Sequence, residues 1–378
     1  MFFMFDNKKI EFLSQQSRSN FCKLVRSAKQ EQLCLVLGAG ASASVGLPTW
    51  NKLLSRICYC YFDQWALEIN SKKASPQKPP ANTSVALTIG YDLYLLEKQH
   101  PELFDEIAKA TEHAEHWVNG TKLPDDIASQ RNQQFIQGLQ LVKQLQDDFM
   151  QKIMSGDLTV IAQMIKNQIR PNDWDYLIRK SLYSSYEDSP FELEISPLYE
   201  QLICLIERLE ISKVINYNYD DTFYHSLKKK NINFSNCYDY SKINNKKVIY
   251  YPHGYIPMKG GVRTKIVLTE EDYQNQIYQQ NLWSNNIQTS TFTTCSCVFV
   301  GLSLNDSNIR RLISMCSNTE IKRHYAFLPS SGGDTASIMY DSLCDSDLYR
   351  LGIRVIRYPA DNDHILLPYL INCLCDLV

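Results

Sequence analysis

Short, continuous apolar runs bounded by polar residues recur along the chain: QLCLVL (32–37), KVIN (213–216), KVIYY (247–251), KIVL (265–268), CVFVG (297–301), HYAFL (324–328) and IRVIRY (353–358). Such runs predict strands covered on both faces. Between several of them apolar positions recur every three or four residues, which predicts helices over 9–29, from Pro48 through the NKLLSRICYCYF run, over 196–209, near 271–289 and in NDSNIRRLISMC. The helix before the last strand ends at YRLG, with Gly352 as its C-terminal stop. Strands alternating with helices, the strands themselves apolar, predict an α/β fold with a doubly wound, Rossmann-like parallel sheet, whose ligands bind beyond the carboxyl ends of the strands.

The middle of the chain follows another pattern. SKKASPQKPPANTS (71–84) is polar and carries prolines, as a loop does. From about 86 to 185 the helical period dominates, in FIQGLQLVKQLQDDFMQKIM and LTVIAQMIKNQI among others. The expected organisation is a core from residues 1–70 and 195–378, interrupted by a mostly helical insertion over 71–194.

Composition narrows the classes. The chain has 378 residues, 44% of them hydrophobic and 21% charged, as in a soluble globular protein. A formal net charge of -2 gives no overall field that attracts nucleic acid, so no direct nucleic-acid binding is expected. No apolar run reaches the roughly 20 residues of a membrane-spanning helix, and MFFMF lacks the form of a signal peptide. The expected location is the cytoplasm, without membrane attachment. Of the 12 cysteines, the close pairs are spaced C-x-C and none C-x-x-C, so a zinc-free protein is expected.

Three strand ends carry candidate chemistry. After the first apolar run, LVLGAGASASVGLP supplies Gly38-x-Gly40-x-x-Ala43; glycine allows a tight turn and lets backbone N–H groups approach a pyrophosphate. The acid that a dehydrogenase needs on a second strand about 20 residues on is missing, since Asp63 lies in a helical run. After KVIN come Asn216, Asn218, Asp220 and Asp221; residue types of this kind form Asx-turns and caps as readily as they line a site. Two residues beyond KVIYY stands His253, followed by Gly254, a histidine suited either to packing or to proton transfer. VFVGLSLNDSN adds Gly301, Ser303, Asn305 and Asp306, with a helix N-cap at Asn305 or Asp306 as the plain structural role.

Taken together these segments resemble the sirtuin superfamily. The family's G-A-G-x-S turn stands as Gly38-Ala39-Gly40-Ala41-Ser42, its T-x-N-x-D segment as Asn216-Tyr217-Asn218-Tyr219-Asp220, its catalytic H-G as His253-Gly254, and its G-x-S-L segment as Gly301-Leu302-Ser303-Leu304. Three departures stand out. The four-cysteine zinc module has no counterpart, Asn216 replaces the threonine, and GLPTWN at 46–51 lacks the Asp and Arg of the family's G-I-P-D-F-R. The GLSLNDSNIRRLI and LTEEDYQ segments and the helical insertion look like those of bacterial sirtuin-like NADases of antiphage defence. That resemblance implies NAD+ as substrate, hydrolysed to ADP-ribose and nicotinamide. It implies Asn218, His253 and Asp220 as catalytic residues. Gly38, Ala39, Gly40, Ser42, Pro48, Trp50, Asn216, Gly301, Ser303 and Asp306 would hold the dinucleotide. It further implies a homo-oligomer, activation by assembly or by a partner such as a HerA-type ATPase, and no metal. An NAD-dependent protein deacylase and a non-catalytic NAD or ADP-ribose sensor stay open at this point.

Overall fold

The computed structural model describes residues 7–70, 117–118, 121–122, 125–184, 194–239, 246–261, 264–279, 282–316, 324–360 and 364–378. The predicted loop at 71–84 and the MFFMF start lie outside them. The chain divides into two compact units, Met1–Trp50 with Leu182–Val378, and Asn51–Ser181. The dividing points fall at 50/51 and 181/182, where the sequence pattern set them at 70/71 and 194/195.

The first unit is built on a seven-stranded, all-parallel sheet: β1 (Leu33–Leu37), β2 (Lys213–Asn216), β3 (Ser235–Cys237), β4 (Val248–Tyr250), β5 (Ser296–Val300), β6 (His324–Pro329) and β7 (Ile353–Tyr358). Their order in the sheet is β3-β4-β2-β1-β5-β6-β7. The winding reverses at β1, so the carboxyl ends of β4, β2, β1 and β5 are four neighbours beside the switch point, where such folds bind ligands. Leu37 is level with both Asn216 and Val300, which brings the next residues of three strands to one edge.

Strand residues alternate between two cores, as the two-residue period of a strand requires. Leu35, Leu37, Val214, Ile249, Val298 and Phe327 pack with the helices Gln15–Gln30, Pro197–Arg208, Thr222–Lys229 and Leu366–Leu377. Cys34, Val36, Ile215, Cys297, Phe299 and Ala326 pack on the other side, with Trp283–Thr294, Ser307–Cys316 and Thr335–Arg350. The doubly wound, Rossmann-like arrangement predicted from the apolar runs is the one observed. The edge at β7 is closed by the first long helix: Ser17 accepts the Arg357 N–H at 3.0 Å and Asn20 donates to the Val355 carbonyl at 2.7 Å.

Two strand assignments need correction. KIVL (265–268) is buried but belongs to no ladder, because its amides have other acceptors: Val267 N–H goes to the His253 carbonyl and Leu268 N–H to the Asp272 carboxylate. Ser235–Cys237, a strand of three residues with polar neighbours, carries no apolar run to announce it. The stretch near 271–289 is two helices, Glu270–Tyr278 and Trp283–Thr294.

In the second unit the helices Asp125–Met154 and Leu158–Gln168 follow the predicted period. Tyr61 and Phe62 pack their rings on Phe149, and Asp157 caps the shorter helix through the Thr159 N–H at 2.8 Å. Trp117–Val118 and Thr121–Lys122 form a short antiparallel ribbon. Among the described residues no helix is long and apolar enough to cross a membrane.

Candidate active site

The glycines after β1 answer first to the neighbouring strand. Gly38 N–H bonds the Val300 carbonyl at 3.0 Å and Gly40 N–H the Gly301 carbonyl at 2.8 Å. A Cβ on Gly38 would lie 2.6 Å from the Gly301 oxygen, and one on Gly301, whose φ is +66°, only 2.2 Å from the Ala41 nitrogen. Two strand-end turns therefore run in backbone contact, which residues with side chains cannot do. The close approach that glycine permits here is to Gly301, and the N–H groups of Gly38 and Gly40 are engaged there. Ala39 is half-buried beside them, Pro48 is buried and Trp50 is half-buried.

Beyond β2 lies a buried polar network. Asn218 donates both Nδ2 hydrogens, to the Gly38 carbonyl at 2.8 Å and to Ser42 Oγ at 2.7 Å. The carbonyl can only accept, which fixes the orientation of the amide. Asn216 Oδ1 accepts the Asn218 N–H at 3.1 Å. Ser42 Oγ donates to Asp220 Oδ2 at 2.7 Å, while Asp220 Oδ1 accepts from the Thr222 N–H at 3.0 Å and from the Thr222 hydroxyl. The Tyr199 hydroxyl closes the network against Ser42 and Thr222. Burial pushes the Asp220 carboxyl up, and the bonds from Thr222 and Ser42 oppose that shift.

Asp221 does something other than cap the next helix. It occupies the cap position of Thr222–Lys229 without a side-chain bond to that helix's first amides. Its carboxylate instead takes the Met258 N–H at 3.1 Å and His225 Nε2 at 3.1 Å. This ties the end of β2 to the chain that follows β4.

His253 stands two residues past Tyr251 and is 5% exposed. Its ring lies 4.9 Å from that of Tyr217 and 5.7 Å from that of Tyr273, both edge-on. Its carbonyl accepts the Val267 N–H at 2.9 Å. Gly254 turns at φ +104°, where a Cβ would strike Ile266 and the Lys265 carbonyl. Nε2 of His253 is buried without a hydrogen-bond partner among the described residues, as are Nδ2 of Asn216 and Nε1 of Trp50. Burial lowers the His253 pKa, and the charge of Asp306 works against that shift.

The end of β5 completes the group. Gly301 packs on the glycine turn, Ser303 is exposed, and Asp306 is half-buried with Oδ1 accepting the Ile309 N–H at 2.9 Å. Asp306 is thus the N-cap foreseen at Asn305 or Asp306. Leu304 sits at φ +60°, a left-handed conformation that a leucine holds only under constraint.

The structure therefore brings the glycine turn, the Asn216–Asp221 segment, His253 and Gly301–Asp306 to one sheet edge. Sequence reasoning missed Tyr199, Thr222, Tyr217 and Tyr273, which hold the named residues in place. Tyr217 and Tyr273 sat in segments already noted, Asn216–Asp220 and LTEEDYQ, without being singled out; Tyr199 and Thr222 carry no local signal. Among the described residues no group of three or more His, Cys, Asp or Glu side chains could hold a metal ion, and all 12 cysteines are free thiols.

The model of one protein family, described as the SIR2-like domain, matches residues 212–344. The matched stretch holds the Asn216–Asp221 segment, His253 and Gly301–Asp306, and stops short of the glycine turn. It supports kinship with the sirtuin-like superfamily and an NAD-related activity. No curated protein matches the chain.

Proposed function

We propose that this chain hydrolyses NAD+ to ADP-ribose and nicotinamide, and that it does so in antiphage defence. The observation that carries the reading is a locked amide, Asn218, and a buried imidazole, His253, whose Nε2 has no partner among the described residues, at the ends of two neighbouring strands. With both Nδ2 hydrogens engaged, Asn218 has Oδ1 left to accept from a water or a ribose hydroxyl. A water that donates to Oδ1 keeps a lone pair free to attack the anomeric carbon. His253, held neutral near pH 7 by burial, can take the proton released, an effect worth about 10²–10⁴ in rate. Nicotinamide leaves as a neutral molecule, so no acid need face it. Asp220 acts at one remove, through Ser42.

The unpartnered donors fit a polar ligand. A buried donor without an acceptor costs about 1–3 kcal/mol, and the carbonyl and hydroxyl oxygens of a dinucleotide would relieve Asn216 Nδ2 and Trp50 Nε1. Hydrolysis is favoured over protein deacylation because GLPTWN lacks the Asp and Arg of the deacylase segment. The defence setting, and activation by self-assembly or by a HerA-type ATPase, follow from the family resemblance. The test is nicotinamide release from NAD+ with no acylated peptide present, comparing the intact chain with Asn218→Ala. Release that requires an acylated peptide would replace this reading with the deacylase.

A further inference from the structure

The turn that carries His253 is held at its backbone as well as at its ring. Gln276, 4% exposed on the helix Glu270–Tyr278, donates from Nε2 to the Pro252 carbonyl at 3.0 Å. Its Oε1 accepts from Asn308 Nδ2 at 2.9 Å, and Asn308 Oδ1 accepts from Nη2 of Arg311 at 2.8 Å. The direction of this chain is fixed from both ends, because a carbonyl can only accept and a guanidinium can only donate. Asn285 Nδ2 steadies the helix by donating to the Gln276 carbonyl at 2.7 Å. The next peptide is held separately, by the Val267 N–H on the His253 carbonyl at 2.9 Å. The carbonyls on either side of the His253 α-carbon therefore each have a fixed partner. The helix Glu270–Tyr278 acts twice here, since Tyr273 and Gln276 are three residues apart and share a face. One sets its ring edge-on to the imidazole, and the other takes the carbonyl before it. An apolar side chain would fill the place of Gln276 but leave the Pro252 carbonyl and the Asn308 amide unpaired.

We propose that Gln276 is a positioning residue for His253: it sets the peptide on which the imidazole stands, with Asn308 and Arg311 as its anchor on the helix after β5, an inference that rests on the NAD+ hydrolase reading. In that reaction the water oxygen bonds to the anomeric carbon as the glycosidic bond breaks. The bond's electron pair leaves with nicotinamide, and the water's proton passes to the imidazole. The transfer needs the ring in one place, and a displacement of about 1 Å can cost about 10² in rate. Packing against Tyr217 and Tyr273 limits how the imidazole turns, and the bonded peptides fix where it starts. Asn308 stands two residues after Asp306, so the segment Gly301–Asp306 and the His253 turn are braced by the start of one helix.

Gln276→Met keeps the length of the side chain and removes both bonds. The expected result on folded protein is kcat lower by at least about tenfold, with the KM for NAD+ within about twofold. Gln276→Glu is the conservative variant. Protonated, its carboxyl can donate to the Pro252 carbonyl and accept from Asn308; ionised, it cannot donate. The ratio of its kcat to that of the unaltered chain should therefore fall as pH rises. A residue that only supports the fold would lower the thermal midpoint and leave that ratio flat. A further readout needs no turnover: the NMR signal of the His253 ring, identified by its loss in His253→Phe, depends on how the ring stands against Tyr217 and Tyr273. The proposal expects that signal to move in Gln276→Met. An unmoved signal overturns it, as does an unchanged kcat, or a loss confined to KM, which would make Gln276 a binding residue. If Gln276→Met does not fold, the Gln276→Glu ratio decides, and a flat ratio overturns the proposal. If NAD+ is not cleaved by the unaltered chain while the ring signal still moves, the hydrolase reading fails and the positioning stands.

Discussion

The strand ends of β2 and β4, neighbours in the sheet, are finished in opposite ways. Past β2, Asn218 donates both Nδ2 hydrogens to Gly38 and Ser42, Asp220 accepts from Ser42 and Thr222 at its two carboxylate oxygens, and Tyr199 bonds Thr222 in turn. Past β4, His253 is gripped by two aromatic rings and its Nε2 has no partner among the described residues. Bonds to the protein suit a group whose task is geometry, because they set its direction. A group that exchanges protons is better held by packing, which fixes the ring and leaves the nitrogen free.

The largest expected effect removes the ground on which both ends stand. Gly301→Ala places a Cβ 2.2 Å from the Ala41 nitrogen at a φ of +66°, so neither the contact nor the backbone accommodates it. Overpacking and left-handed strain together should cost at least about 3 kcal/mol. Chemical denaturation checks this; near-native stability would mean that the two turns are not in contact.

Next come the two residues themselves. Asn218→Ala and His253→Phe should each lower NAD+ cleavage by at least about 10². The double variant should be hardly worse than either, because groups that act as a unit are not additive. Stability should separate them. Asn218→Ala leaves Gly38 and Ser42 without their donor, at about 1–3 kcal/mol, whereas His253→Phe keeps a ring between Tyr217 and Tyr273 and breaks no Nε2 bond among the described residues. Equal losses in thermal midpoint would erase the contrast between the two ends.

Asn216→Ala should cost less activity than Asn218→Ala, since Asn216 supports its neighbour's backbone through one bond. If the order is reversed, the catalytic position is two residues too far along the strand.

The smallest effect lies in pH. Free histidine titrates near 6.5, and burial puts His253 below that value. The base therefore stays neutral at pH 6.5, and the acid limb of kcat/KM should lie lower still. Stability follows the same sign: below 6.5 the unfolded chain binds a proton at this position before the folded one does, so stability falls as pH falls. An acid limb above 6.5 would mean that His253 is not the buried base.

Much of this was legible in the sequence, and the exceptions have physical causes. KVIN and IRVIRY form strands with the limits that their apolar runs set, because backbone buried on both faces has few ways to satisfy its amides other than a ladder. KIVL had other acceptors within reach and joined none. Asn218 and His253 could be singled out by type and place, but not their supports. Ser42 and Asp220 are 178 positions apart in sequence, and no local pattern announces that a hydroxyl after β1 will bridge the amide and the carboxylate after β2. Asp221 read as a cap because its residue type favours one; Asp220 already holds the Thr222 N–H, and Asp221 is turned toward Met258.

The central claim is that water, positioned by Asn218 and deprotonated by His253, takes the place of nicotinamide on the ribose of NAD+. It is tested most directly by mass analysis of every product formed from NAD+ by the protein and by its His253→Phe variant. The account predicts equal amounts of nicotinamide and ADP-ribose, a product one water heavier than a cyclised one, and loss of both in the variant. A cyclised product, or the same products at the same rate from His253→Phe, would contradict it.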